Sequence, residues 1–323
     1  MAGTDAGIGP DGARPGGLSP IARRERGVHS RCSVRQGVTP CLRRPDAPAA
    51  DAARAREETT MAEIRCGYVD GEWGQVHYRR SGDAGPWVAL FHESPLSSAV
   101  YQHVLPLLGQ HARAVAFDTP GYGASSPPQG PGQEIPDYAR VLAGAAAALG
   151  MERPVLGGVH TGASIAIAAS AFIPAAGLIP TGIPLYTPEE RPRFLAGYAP
   201  PLVTDGEGAQ FAWAIARYRR IWGPDLPAEL LHVAVTELMR AGTRYDWGYN
   251  AAFRYDPAPQ LQAFDGPVLL LNAEFDSLAE KDPLAMRLAR DARTAVLPGL
   301  PGQPHLRQPA RYAELVLGFL DRL

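Results

Sequence analysis

Residues 155–170 read V-L-G-G-V-H-T-G-A-S-I-A-I-A-A-S. A short apolar run closes on two glycines, passes through His160, Thr161 and Gly162, and continues as an Ala/Ile-rich segment with helical spacing. That is the pattern of a buried strand, a very tight turn and a helix. Glycines on either side of His160 let strand and helix approach closely, which leaves the side chain at position 160 projecting from the turn.

Working outward, the same punctuation recurs. W-V-A-L-F at 87–91 is a wholly apolar strand of the kind buried on both faces, and it runs into His92-Glu93-Ser94-Pro95. A helix is expected over about 98–108, then a second buried strand at 112–117, ending in the rigid loop D-T-P-G-Y-G-A-S at 118–125. A helix over 135–149 leads to the 155–158 strand, and 177–181 is a further short strand. Upstream, 64–70 and 75–80 flank a glycine-bearing turn and read as a hairpin. Strands alternating with helices at this spacing indicate βαβ units and a parallel sheet.

Between 182 and 264 the strand pattern stops. Phe211, Ile215, Tyr218 and Trp222 share one helical face, and Leu230, Ala234 and Leu238 share another, after Pro227 at a helix start. Trp213, Trp222 and Trp247 all fall here, so we expect a helical cap with an aromatic underside. The sheet resumes at 267–272, followed by A-E-F-D-S with Asp276, a helix over 283–291, a strand at 294–297, a loop holding His305 and a last helix from Ala310. The expected domains are 61–181 and 265–323 as one core and 182–264 as the cap. Residues 1–60 are rich in Gly, Ala, Pro and Arg and poor in core-forming residues; they are expected to be a disordered extension.

At 323 residues and 46% hydrophobic content the chain can bury one large core, and a net charge of −2 offers no general attraction to nucleic acid or an anionic membrane. Cys32, Cys41 and Cys66 make no disulfide framework and no close-spaced metal-ligand set. No run approaches the roughly eighteen apolar residues that read as a membrane span, and the N-terminus lacks a secretory apolar core, so the cytoplasm is the expected location. A small-molecule substrate is expected as the partner, with no cofactor.

Five signals in chain order carry a resemblance: His92 with Pro95 after the third strand, the 118–125 loop after the fourth, the tight turn after the fifth, Asp276 after the seventh and His305 after the eighth. From position 61 onward the chain resembles the α/β-hydrolase superfamily, most closely its small bacterial members with a helical cap, such as haloalkane dehalogenases, epoxide hydrolases and carbon-carbon bond hydrolases. The resemblance implies a mostly parallel, doubly wound sheet with the cap inserted after strand 6. It makes 158–162 the nucleophile elbow G-x-S-x-G. By the same resemblance His305 is the catalytic histidine, Asp276 the acid that orients it, and the backbone N–H groups of Ser94 and Thr161 form the oxyanion hole. His92, Glu93 and Trp213 are expected to line the substrate pocket.

Two residues depart from that pattern. His160 stands where the superfamily has Ser, Asp or Cys, and Glu93 where it usually has glycine. Three chemistries remain open for His160, His305 and Asp276. His305 held by Asp276 activates water on an ester, lactone or similar bond; or the two histidines move protons in an isomerisation, elimination or carbon-carbon cleavage; or His160, His305 and Glu93 bind a metal. A catalytically silent module that binds a small ligand is the reading from another class.

Overall fold

The computed structural model describes residues 62–323; the expected N-terminal extension lies outside them. Eight strands form one sheet: β1 (Arg65–Gly71), β2 (Gly74–Ser81), β3 (Trp87–Phe91), β4 (Arg113–Phe117), β5 (Val155–Val159), β6 (Gly177–Thr181), β7 (Pro267–Ala273) and β8 (Asp291–Leu297). Their order is β1-β2-β4-β3-β5-β6-β7-β8. β1 and β2 are the antiparallel hairpin, β2 meets β4 antiparallel, and every later pairing is parallel. The order reverses at β3, so β3 and β5 lie side by side although β4 intervenes in sequence, with Phe91 opposite Gly158. Ligands of open parallel sheets bind outside the carboxyl ends of the strands at such a switch.

Strand residues alternate between two cores. Ala89, Phe91, Val115, Phe117 and Leu156 pack on the side of α2 (Ile135–Ala148) and α3 (Thr161–Ala169). Val88, Leu90, Ala114, Ala116 and Val155 face the other side, where α1 (Leu105–Leu108) and the final helix pack. Apolar side chains on both faces of β3, β4 and β5 explain why these strands read as continuous hydrophobic runs. The expected 98–108 helix is broken. Ser98–Tyr101 is a 3-10 turn and α1 starts afresh, because Pro106 has no N–H to continue the helical ladder. β8 begins three residues earlier than its apolar core suggests.

From β6 to β7 the described chain is helical: α4 (Glu190–Gly197), α5 (Ala209–Trp222), α6 (Ala228–Ala241), α7 (Trp247–Arg254) and α8 (Ala258–Ala263). Tyr218 and Trp222 of α5 and Ala234 and Leu238 of α6 are buried as their spacing predicts, but Phe211 is exposed. Tyr122 in the loop after β4 ties this segment to the sheet, its hydroxyl donating to the Tyr245 carbonyl and accepting from the Gly248 amide. A second tie is Lys281, which bonds both carboxylate oxygens of Glu190 at 2.8 and 3.0 Å. After β8 come α10 (Pro304–Arg307) and α11 (Pro309–Leu320), with α9 (Asp282–Leu288) between β7 and β8. No described helix is long and apolar enough to cross a membrane.

Candidate active site

The turn between β5 and α3 holds His160 at φ 49°, ψ −107°. A positive φ with that ψ lies outside the regions an L-residue prefers and costs about 1–3 kcal/mol. The neighbouring glycines permit it by close approach. A Cβ on Gly158 would sit 2.2 Å from the Gly162 carbonyl oxygen, and one on Gly162 would sit 2.1 Å from that of Phe91. Helix α3 therefore starts against the end of β3, beside the His92-Glu93-Ser94-Pro95 turn.

The His160 imidazole meets the loop after β7. Its Nε2 lies 3.1 and 3.0 Å from the two carboxylate oxygens of Asp276, whose Oδ1 also accepts from the Leu278 amide at 2.9 Å. Asp276 is buried and the His160 side chain is 23% exposed. Burial opposes charge on both groups, but each stabilises the other's charged form. The His160 pKa is raised above 6.5, and that of Asp276 is lowered below 3.8. Gly182 makes room for the pair. It sits at φ +61°, and a Cβ there would come within 2.5 Å of His160 Cδ2, 2.8 Å of Nε2 and 3.1 Å of Asp276 Oδ1.

This pairing corrects the expected one. His305 does not hydrogen-bond Asp276. It is fully buried in α10 rather than in a loop, between the rings of Tyr101 and Tyr312, with Nε2 3.5 Å from Glu93 Oε2. The elbow histidine has taken the carboxylate that the resemblance assigns to His305, and Glu93, the other departure from the pattern, faces His305 instead. Neither Glu93 carboxylate oxygen nor either His305 ring nitrogen makes a hydrogen bond among the described residues. Burial pushes the Glu93 pKa up, yet His305 opposite holds it below 4.5 overall.

The remaining expected residues separate. His92 is buried and both ring nitrogens are taken: Nδ1 donates to the Glu93 carbonyl and Nε2 accepts from the Thr119 amide, each at 2.9 Å. It fixes the β3 and β4 loops and does not line the cavity. Asp118 is likewise structural, bonding His77 and the amides of Ser98 and Ala124, with its pKa held far below 3.8. Trp213 packs edge-on against Tyr245, away from the cavity wall. Ser94 and Thr161 follow adjacent strand ends, and neither amide is taken by a backbone carbonyl among the described residues.

His160 and Thr161 open into a cavity of about 240 Å³, walled by Pro184, Tyr186, Phe194, Tyr198, Tyr249 and Phe253. His160 Nδ1 makes no protein hydrogen bond among the described residues and is the ring nitrogen left for a bound molecule. The aromatic wall comes from Tyr186 after β6, from α4 with Tyr198 at its end, and from α7, where sequence reading located no site residue. No group of three His, Cys, Asp or Glu side chains is placed to hold a metal ion among the described residues.

No protein-family model matches the chain. Over 101 residues it is 34% identical to haloalkane dehalogenase 2 of Mycobacterium tuberculosis, a match that covers 31% of this chain and 35% of that protein. The chain thus spans about a third of the length of this curated relative. It is 24% identical over 260 residues to 2-(acetamidomethylene)succinate hydrolase of Mesorhizobium japonicum, covering 75% of this chain and 90% of that protein. Among solved structures, E-2-(acetamidomethylene)succinate hydrolase superposes with a TM-score of 0.65 at 22% identity, covering 80% of this chain and all of that one. The enol-lactonase of Burkholderia xenovorans LB400 gives 0.66 at 18%, covering 79% and 100%. With the strand order and the elbow, these likenesses make the chain an α/β-hydrolase-fold protein.

Proposed function

We propose that the protein hydrolyses an ester, lactone or related carbonyl bond in a small organic substrate, with a His160–Asp276 dyad in place of a covalent nucleophile. The observation that carries this reading is the elbow imidazole bonded through Nε2 to both oxygens of a buried carboxylate while its Nδ1 is left for the cavity. Asp276 accepts from Nε2–H, which fixes the tautomer and leaves Nδ1 as the basic atom. The raised pKa of the ring makes it a stronger base than a free histidine.

In this mechanism Nδ1 takes a proton from water as the water oxygen bonds the carbonyl carbon. The carbonyl oxygen becomes an oxyanion and accepts from the Ser94 and Thr161 amides. The imidazolium, stabilised by Asp276, then gives its proton to the leaving oxygen as the carbon-oxygen bond breaks. Hydrolase names among the relatives support the reaction class; the residue roles rest on the geometry.

A second reading, proton transfer without added water, is favoured by the second buried imidazole, His305, beside Glu93. Turnover in H₂¹⁸O separates the two. Incorporation of one labelled oxygen into the product acid supports hydrolysis, and its absence during turnover supports isomerase or lyase chemistry. A panel of aryl esters and lactones on which native protein and Asp276→Asn show equal or no rates would leave the small-ligand-binding reading.

A further inference from the structure

Behind Tyr198 and Tyr249, which line the cavity, a guanidinium is buried without an anion. Arg217 of α5 is 2% exposed. Its charged carbon lies 5.1 Å from the Tyr198 ring centre, 5.6 Å from Tyr249, 5.7 Å from Trp213 and 5.8 Å from Tyr245. Nη1 donates to the Tyr198 carbonyl at 2.8 Å. Nε and Nη2 make no well-formed hydrogen bond, the Tyr249 hydroxyl being the polar side-chain group that interacts with the guanidinium, and no carboxylate lies within ion-pair distance among the described residues, Glu237 on the neighbouring α6 included. Burying a charge unpaired is costly, so the missing anion calls for an account.

Position and shape supply one. Tyr198 and Tyr249 line the cavity and touch the guanidinium as well, and Ile221, one turn along the same helix face, also lines the cavity. With aromatic rings packed around the guanidinium, what remains is one edge, formed by Nε–H and Nη2–H. Those two parallel donors match the two oxygens of a carboxylate.

We infer that Arg217 is the acid-recognition residue of the cavity, and that the natural substrate carries a carboxylate which the Nε/Nη2 edge binds bidentately after Tyr198 or Tyr249 swings aside. The inference deepens the hydrolase reading by naming a substrate class. It rests on that reading only for the role of the cavity, because ligand binding is measured without turnover.

The test is calorimetric titration of the full chain with phenylacetate, hexanoate and glutarate, each against its neutral amide. At least one acid is expected to bind about tenfold or more tightly than its amide, the scale of a charge-assisted hydrogen-bond pair. That preference should persist in His160→Ala, which abolishes the dyad, and fall below about threefold in Arg217→Lys, which keeps the charge and loses the fork. Measurement on the native chain needs no variant to fold. Equal binding of acids and amides, no acid bound up to about 20 mM, or an unchanged preference in folded Arg217→Lys would each overturn the inference. Loss of hydrolysis in His160→Ala with the acid preference retained would separate the two readings.

Discussion

Gly182→Ala probes whether the elbow histidine is seated by design of the surrounding backbone. The added methyl meets two penalties. At φ +61° an alanine gives up about 1 kcal/mol through the left-handed conformation. At 2.5 Å from His160 Cδ2 and 2.8 Å from Nε2 it must also displace the ring, an overpacking term of about 1–3 kcal/mol. The expected total is therefore about 2–4 kcal/mol by urea unfolding. If the ring moves instead, the Asp276 hydrogen bond breaks, and the His160 pKa falls towards or below 6.5 by NMR titration. A double-mutant cycle isolates the contact. In a His160→Ala background the backbone term persists, and most of the clash disappears, leaving about 1 kcal/mol and a coupling of about 1–3 kcal/mol. A Gly182→Ala variant as stable as the native chain, with an unmoved His160 titration, would refute the seating argument.

The dyad also makes stability depend on pH. The lowered Asp276 pKa contributes stability present above 3.8 and lost as pH falls through its folded value; the raised His160 pKa contributes stability present below 6.5 and lost as pH rises through its folded value. The stability gap between native and Asp276→Asn should thus be widest between those limits, about 1–3 kcal/mol, and shrink on either side. The same substitution should lower turnover by about a hundredfold or more and move the acidic limb of the rate profile to lower pH. His160→Ser should not be labelled efficiently by an organophosphorus ester, because His305 faces Glu93 and does not hydrogen-bond Asp276; His160→Ser with Glu93→Gly should label at position 160 by mass spectrometry. Asp118→Ala should destabilise by about 3–5 kcal/mol, since it strands the buried His77 ring and the buried Ser98 amide and frees the Ala124 amide.

Much of this was legible in the chain. Parallel strands buried on both faces read as short apolar runs between Gly and Pro, and the glycines at 158 and 162 announce the close strand-helix approach that puts His160 at the tip. What chain order could not reveal was the partner of Asp276. Two imidazoles, from the elbow and from α10, converge near the same end of the sheet, and only backbone geometry decides which one reaches the carboxylate. Glu93 beside the oxyanion position, expected to line the substrate pocket, turns out buried against His305. Arg217 escaped notice because Arg219 and Arg220 follow it, so the run looks like a solvated helix face; its burial emerges only when Tyr198, Tyr245 and Tyr249 pack their rings around one arginine of the three.

Lys281 is the sole lysine of the 323 residues. Apart from the terminal amine, amine-selective acylating reagents therefore have one site on the 323 residues, and that site bridges the loop after β7 to Glu190 at the start of α4. Hydrogen bonding to Glu190 raises its pKa and ties up its donors, so the free amine forms chiefly when the contact opens. The rate of acylation at Lys281 then counts those openings. A cavity ligand that holds α4 down should protect the amine, giving an occupancy meter that requires neither a chromophore nor a known substrate.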